Sequence, residues 1–448
     1  MGATGSGATG SPASYRSVVG VAEFRWLWVA QLLSVVGDQF ARVALTVLVF
    51  DRTASAGLAA LTYALTYLPD LFGGAVLAHL ADRYPRRAVM VTADLARAVV
   101  IAVIAVPGLP LVVQAALLVL AQLAASPFQS ARQAVLPDIL AGDNLVVGQG
   151  VIDISYQAGL AIGFGAGAAI VVALGTSGAL LVDAATFLVS AAVLRWGLGQ
   201  HQPAVEQDGA HARPGQWATI AAGWRLVAHD PRLRALLAIV CCSGFYVVPE
   251  GLAVPLAAQF GGTGTVGWLL AANPVGTVFG VLLLKKLPPV RRLRWLGPLA
   301  VATSLVLIPT GWTGSVPIVV ALWTVSGAAS AHDMITKSVY VRGAAPEHRG
   351  QAVGVAIAAL RTAQGAGIVA AGLVAQAVLP SRVIAGAAVL GVLAGGAATW
   401  SWSRASARAD RPAAQQPPHR PGTLPSSHSS AEDDPANHGR PGTDDVVN

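Results

Sequence analysis

A few charged side chains interrupt the long apolar runs of this sequence, and their chemistry needs an explanation. Asp38 and Arg42, in "GDQFARV", are four residues apart and would share one helix face, where they can pair. Such a pair could bind substrate or protons, or be structural only. Glu250, in "VVPEGLAVP", has no basic residue three or four positions away on its own helix. It is therefore a candidate proton carrier, and a glutamate wetted by an outer vestibule is the alternative.

Further charges lie nearer the ends of apolar runs. Asp333 and Lys337 repeat the four-residue spacing beside His332, and Arg361 enters a later run. This position favours a gate or packing network over direct contact with a substrate. The stretch "HLADRYPRR", residues 79–87, places one aspartate and three arginines between two apolar runs, in a chain with only 11% charged residues.

The composition identifies the elements that must position these charges. The chain has 448 residues, 54% of them hydrophobic, with 49 glycines and a mean hydropathy of +0.61. Its apolar runs repeatedly reach the roughly 20 residues that a helix needs to cross a bilayer, whereas barrel strands would alternate over about ten. We therefore predict an all-α membrane protein with twelve transmembrane helices.

The longest polar connection follows the sixth apolar run and divides the chain into two sets of six. Trp217, Ile220, Trp224 and Val227 recur there at helical spacing. A helix lying on the inner leaflet and a linker helix packed on the bundle both fit this pattern. The predicted organisation is a flexible N-terminal segment (1–20), a six-helix bundle (21–198), a central cytoplasmic loop (199–234), a second six-helix bundle (235–403) and a disordered cytoplasmic tail (404–448).

The basic residues predict the orientation in the membrane. The loops on one side carry only Arg52 and Arg382, and the other loop arginines and lysines lie on the opposite side. Because Lys and Arg accumulate on the cytoplasmic side, both termini are predicted to be cytoplasmic. The dispersed positive charge argues against a nucleic-acid partner. We expect a multi-pass protein of the plasma membrane, of the bacterial inner-membrane type.

Several kinds of chemistry find no support in the sequence. Cys241 and Cys242 are adjacent within an apolar run, which argues against a disulfide or a metal site. None of the three lysines stands in a phosphate-binding G-x-x-x-x-G-K-[ST] loop, so no ATPase activity or ATPase subunit is implied. Clustered catalytic groups are lacking too, and we predict no enzyme activity and no cofactor, with a proton gradient as the energy source.

The charged stretch also carries a family resemblance. "GGAVLAHLADRYPRR", residues 73–87, resembles the loop signature of the major facilitator superfamily, although Pro85 replaces its usual glycine. The resemblance extends over about residues 20–403. It implies two six-helix bundles, alternating access and a gate in which the aspartate contacts the start of the eleventh helix. Asp70, Asp94 and Arg97 are expected to extend this loop network. The gating residues that match are Gly74, Asp82, Arg83, Arg86 and Arg87.

Two further stretches refine this resemblance. Gly150, Gly159, Gly163 and Gly167 are spaced like the fifth-helix glycine motif of proton-coupled exporters of the superfamily, and the last three would form a small-residue stripe for close helix packing. "SPFQSARQAVLPDIL" (126–140) and "LLVDAATFLVSAA" (180–192) are similar to the macrolide-efflux-like branch. "RTAQGAG" (361–367) reproduces a motif that exporters of the superfamily carry on their fourth helix, but here it lies on the eleventh predicted span. The role in proton transfer that the motif's arginine has in those exporters therefore does not transfer to Arg361.

The combined prediction is a secondary active transporter that works without covalent chemistry. We expect a monomeric, proton-coupled exporter of small amphipathic molecules, such as an antibiotic or a related metabolite. Asp38, Arg42 and Glu250 are its candidate proton and substrate residues, and the bilayer, protons and the small molecule are its partners. A metabolite importer and a non-transporting membrane sensor are the alternatives.

Overall fold

The structure, a computed structural model, describes residues 14–67, 83–201, 216–345 and 348–409. Within these ranges the regular secondary structure is helical. The predicted tail beyond residue 409, Asp70 of the expected loop network and the predicted gate residues Gly74 and Asp82 lie outside the described residues.

The first half of the chain forms helices that end at glycine, proline or serine turns. Ala54 takes a left-handed conformation (φ 50°) between the first two long helices, and the Ser55 hydroxyl then accepts a hydrogen bond from the Leu58 amide. The helices are α1 (Tyr15–Gly20), α2 (Ala22–Thr53), α3 (Ala56–Ala64), α4 (Arg86–Ile104), α5 (Leu111–Ile139) and α6 (Asp143–Gly197).

Helix α6 is two helices in one continuous run of 55 residues. Gly175 has φ 71° and ψ 177°. These values lie outside the helical region, and glycine adopts them without a steric penalty. The chain therefore changes direction at Gly175 and returns along the bundle. The predicted fifth and sixth spans correspond to the two arms of this helix.

The second half begins with a helix in the central connection. Helix α7 (Gln216–His229) packs on α15, with Gly223 against Gln351 and Val355, and buries Val227 in the core of this half. The remaining helices are α8 (Pro231–Cys241), α9 (Ser243–Tyr246), α10 (Val248–Gln259), α11 (Val266–Lys285), α12 (Pro289–Leu305), α13 (Val316–Ser330), α14 (His332–Gly343), α15 (Arg349–Val374) and α16 (Pro380–Ala409).

Nine helical segments of the described chain are long and apolar enough to cross a membrane. One of them is the doubled helix α6, and another, Pro231–Gln259, joins α8, α9 and α10. Their surfaces remain apolar, as lipid-facing helices require; Val112, Trp196 and Trp268 are 80%, 84% and 71% exposed. The chain is a multi-pass membrane protein.

The two halves meet at the end of the bundle that is farthest from α1 and from the C-terminal turn of α16. We call this the remote end. There Gly372 of α15 lies against Ala60 of α3, and Gly267 of α11 lies against Ala168 of α6. The largest buried apolar cluster of the described residues contains members of both halves, including Ala60, Ala168 and Leu252. The four other clusters each belong to one half. The described apolar packing between the halves is thus concentrated at one end.

Candidate functional site

The breaks within the span Pro231–Gln259 position Glu250. Short helix α9 ends at Tyr246, and Pro249 lacks the backbone N–H that would continue the helical ladder. Helix α10 restarts at Val248, so Glu250 lies in its first turn, where the helix dipole favours a negative charge. The local sequence "VVPEG" therefore presents a carboxylate at a helix start in the middle of the span.

Two tyrosines of the other half hold this carboxylate. The Tyr63 and Tyr67 hydroxyls both donate hydrogen bonds to Glu250 Oε2, at 2.8 and 3.1 Å. Their rings are 1% and 7% exposed, with centroids 5.9 Å apart. Both hydroxyl groups donate to the same carboxyl oxygen, which has two lone pairs and can accept both. Glu250 thus joins the two halves by hydrogen bonds.

Two arginines lie against the same tyrosines. The Arg42 guanidinium of α2 is 5.3 Å from the centroids of both tyrosine rings, and that of Arg361, on α15, is 5.1 Å from the Tyr67 centroid. These distances are within the range of cation–π attraction. The structure therefore assembles what we call the central cluster: Arg42, Tyr63, Tyr67, Glu250 and Arg361.

The central cluster combines aromatic, cationic and acidic groups. Tyrosine faces bind apolar or aromatic surface, guanidinium groups donate hydrogen bonds, and a carboxylate can accept a proton or a hydrogen bond. Arg42, Glu250 and Arg361 are partly exposed although they contact other residues between the halves, so water reaches the cluster. Polar groups of this kind in an apolar setting fix the orientation of small ligands.

Asp38 and Arg42 point to different partners, which differs from the expected same-helix pair. Asp38 forms an ion pair with Arg97 of α4, and Arg97 also donates to the Ser34 hydroxyl at 3.1 Å. Arg42 faces the tyrosines. The i to i+4 spacing allowed the pair, but the neighbouring helices supply a closer acceptor for one residue and aromatic faces for the other.

The described partners of Asp94 and Arg97 lie on α2 and α6 within the bundle. Asp94 Oδ2 and the Ser190 hydroxyl group of α6 share a 2.6 Å hydrogen bond, and neither residue of that pair is exposed. The sequence alone suggested the loop because both residues follow the charged stretch closely. The length of α4 carries them two to three turns into the bundle.

Asp333 likewise has a partner across helices. Its Oδ2 accepts a 2.6 Å hydrogen bond from Tyr246 of α9, and its Oδ1 is 3.5 Å from Nε2 of the fully buried His332. Lys337 stands one turn further along α14. Asp333 therefore links α14 to the span that carries Glu250.

The loop arginines bind the ends of helices in their own half. Arg86 pairs with Asp138 and donates to the Ala134 carbonyl at 2.8 Å, both at the end of α5, and Arg87 donates to the Leu198 carbonyl at 2.9 Å. Cations are favoured at helix C-termini, where carbonyl groups lack helical partners. The Arg83 guanidinium lies 6.0 Å from the Tyr84 ring centroid.

Three of the four motif glycines lie against α2. A Cβ atom at Gly159 or Gly167 would come within 3.1 Å of side chains of α2, and one at Gly163 would be 2.8 Å from Gln39 Cβ and 2.9 Å from the Val36 carbonyl oxygen. Gly150 has open space around its Cα. The close approach of α6 to α2 therefore depends on Gly159, Gly163 and Gly167.

Tyr63, Tyr67, Tyr246 and Asp183 are candidate site residues that the sequence reasoning missed. The signal for the first two was present, because "TYALTY" puts two of only seven tyrosines four residues apart on one helix face. Tyr246 is four residues before Glu250 and so shares its side of the span. Asp183 lies in the stretch "LLVDAATFLVSAA" (180–192), which was noted only for its family resemblance.

Two helical halves joined at one end, with charged and aromatic groups between them, define a membrane transport protein for small molecules rather than an enzyme. The family model described as Major Facilitator Superfamily matches residues 27–317. The chain belongs to the major facilitator superfamily.

Solved structures support the same fold. A nucleoside transporter, NupG, has a TM-score of 0.67 and 14% identity, covering 85% of this chain and 99% of that chain. A transporter of the POT family in complex with a thioalcohol-conjugated peptide has 0.67 and 11%, covering 86% and 96%. A bacterial homolog of the human lysosomal transporter Spinster has 0.59 and 14%, also covering 86% and 96%. No curated protein matches the sequence.

Proposed function

We propose that this protein is a secondary active transporter that exports small amphipathic compounds, such as an antibiotic or a related metabolite, in exchange for protons. The observation that carries the proposal is the Glu250 carboxylate, which belongs to one half and accepts hydrogen bonds from Tyr63 and Tyr67 of the other. A titratable group placed at this junction can couple proton binding to the relative movement of the halves.

The mechanism follows from what protonation does to this contact. Ionised Glu250 accepts two hydroxyl donors and holds the halves together at the remote end of the bundle. A proton on the carboxyl group removes the charge that strengthens both hydrogen bonds. A substrate that binds the tyrosines and arginines competes for the same groups. Proton binding and substrate binding therefore each weaken the contact between Glu250 and the tyrosines. The two ligands occupy the site alternately.

The direction of transport depends on the membrane topology, which we propose as twelve spans with both termini cytoplasmic. The two arms of α6, helix α4 and the run that starts with α3 would complete the count. The closed end then faces outward, and the central cluster is reached from the cytoplasm. Each proton that re-enters supplies about 2.3 kcal/mol per 100 mV, in addition to the pH difference, which is enough for modest outward accumulation.

The remaining assignments are proposals of the same kind. Arg86 and Arg87, together with Gly74, Asp82 and Arg83, would form the cytoplasmic gate, and the observed binding of the first two arginines to helix ends supports a latch at that surface. The protein would act as a monomer in a plasma membrane of the bacterial inner-membrane type, without a cofactor.

The test is an accumulation and resistance screen with amphipathic antibiotics and metabolites in an efflux-deficient bacterial host. We expect export that a protonophore abolishes, and we expect Glu250→Gln to remove its pH dependence. Asp51→Asn, at an exposed carboxylate near the end of α2, is the matched control and should behave as wild type.

Two results would contradict the proposal. Protonophore-sensitive uptake in place of export would indicate an importer, and no movement of any compound would favour a sensor. An unchanged pH dependence in Glu250→Gln would remove the coupling role from this residue.

A further inference from the structure

A second cluster of charges is enclosed within the N-terminal half, away from Glu250. We call it the Arg97 cluster: Asp38 of α2, Asp94 and Arg97 of α4, and Asp183 of α6. Asp94 and Asp183 are 0% exposed and Arg97 is 2% exposed, whereas the Asp38 side chain retains 24% of its exposure. Three carboxyl groups thus surround one guanidinium group, and only Asp38 reaches water.

The guanidinium group is committed to one of these carboxyl groups. Arg97 Nη2 pairs with Asp38 and Nη1 donates to Ser34, while the Cζ atom lies over the Phe187 ring, 4.1 Å from its centroid. Among the described residues, Asp94 Oδ1 and Asp183 Oδ2 are buried without a hydrogen-bond partner. If all three acids were ionised, the cluster would carry two uncompensated negative charges, which an apolar interior strongly disfavours.

The hydroxyl groups that contact Asp183 and Asp94 give an independent argument about the protonation of these two acids. Thr186 has a single hydroxyl proton, which it donates to the Asp183 backbone carbonyl at 2.7 Å, so its longer 3.4 Å contact with Asp183 Oδ1 gives that carboxyl group little compensation for a negative charge. Ser190 faces two acceptors, the Ala30 carbonyl at 3.2 Å and Asp94 Oδ2 at 2.6 Å, with one proton. A protonated Asp94 would satisfy both contacts.

The helices are shaped to bring these groups together. A Cβ atom at Gly37 would overlap Thr186 Oγ1 and Asp183 Oδ1, so glycine next to Asp38 lets α6 approach α2 at this point. Asp183 interacts electrostatically with Asp38, Arg97 and Asp94, the charged groups that α2 and α4 present to it. The site is therefore a mixed-charge pocket between three helices.

We propose that the Arg97 cluster is a second proton-binding site, in which Asp94 and Asp183 carry protons and Asp183 exchanges its proton with Asp38. In the resting form Asp38 is ionised and paired with Arg97. When the proton of Asp183 passes to Asp38, the guanidinium group pairs with the new Asp183 carboxylate instead. One O–H bond breaks and one forms, and the net charge of the cluster stays the same. Asp38 is then the neutral group that faces water.

The consequence for transport rests on the proposed function. A site of this kind would let the N-terminal half bind or release a proton in addition to the one at Glu250, so a cycle could move more than one proton. The protonation states themselves do not depend on export and can be measured on the purified protein.

The test is infrared spectroscopy of the full-length protein in lipid nanodiscs at neutral pH, which detects the carbonyl stretch of protonated carboxyl groups. Wild type should show such bands, and Asp183→Asn and Asp94→Asn should each remove one. Asp38→Asn should also remove the Asp183 band, because Arg97 loses its partner and stabilises ionised Asp183. Asp51→Asn is the control and should change nothing.

The outcomes separate this inference from the proposed function. Wild type needs no substitution, so absence of protonated carboxyl bands there overturns the inference even if the variants fail to fold. Bands that persist unchanged in Asp183→Asn and Asp94→Asn also overturn it, and a band retained in Asp38→Asn refutes the exchange. If the bands behave as expected but no compound is exported, the proposed function fails and the proton site stands.

Discussion

Tyr63→Phe tests whether the tyrosine contacts with Glu250 hold the halves together. The substitution removes the 2.8 Å hydrogen bond to Oε2 and keeps the ring beside Arg42. A hydrogen bond to a charged group contributes about 1.5–3 kcal/mol, and about 1.4 kcal/mol is a factor of ten in an equilibrium constant. Because Glu250 is partly exposed and keeps Tyr67, the lower end applies, and the closed-to-open ratio at the remote end should fall about tenfold.

Electron–electron distance measurements between two spin labels can read this ratio directly. Thr53 and Leu379, which belong to opposite halves, line a depression of about 510 Å³ at the remote end and are suitable label positions after replacement by cysteine. Cys241 and Cys242 are the only natural cysteines and would be replaced first. We expect a longer distance to gain population in Tyr63→Phe.

The control is Tyr340→Phe, which removes a buried hydroxyl group that donates to the Ala352 carbonyl at 3.1 Å within the second half. It should leave the distance distribution unchanged. In a Glu250→Gln background, Tyr63→Phe should add much less than it does alone, because the two changes remove one interaction. Equal shifts in Tyr63→Phe and Tyr340→Phe, or no shift in either, would refute the reasoning.

Other substitutions test the supporting structure. Gly163→Val forces a side chain into α2, so thermal unfolding should show a loss on the order of 1–3 kcal/mol, whereas Gly150→Ala, in open space, should show none. Arg86→Ala removes the contacts with the end of α5, so transport should slow while thermal stability changes by less than about 3 kcal/mol; Asp138→Asn should reproduce the effect if the ion pair matters. Normal transport in both variants would remove the latch assignment.

The class of fold was predictable because membrane helices are encoded locally. A span needs only about 20 apolar residues, and the turns between spans are marked by glycine, proline and small polar residues. Gly175 illustrates this, since it begins the small polar stretch "GTSG" (175–178) and is the residue at which α6 reverses. The family signature was equally local, and the matching family model covers it.

The partners of the charged residues were not predictable, because contacts between helices are not encoded locally. Spacing along a helix shows which side chains share a face, and it suggested that Asp38 pairs with Arg42. The rotation of each helix about its axis decides which face meets which neighbour. A single sequence does not specify these rotations. Arg97 is 59 positions away from Asp38 in the chain, and Tyr63 is 187 positions from Glu250.

The two charged clusters are connected through one helix. Asp38 and Arg42 are one turn apart on α2, but Asp38 belongs to the Arg97 cluster and Arg42 to the central cluster. A change in the charge of Asp38 alters the electrostatic potential at Arg42 directly, because a turn of helix separates them by about 6 Å. Losing the negative charge of Asp38 makes the central cluster more positive, which favours ionised Glu250 and its tyrosine contacts. If both proposed sites bind protons, proton binding in the N-terminal half would therefore strengthen the junction that proton binding at Glu250 would weaken, and the two sites would act in opposite directions on the same movement.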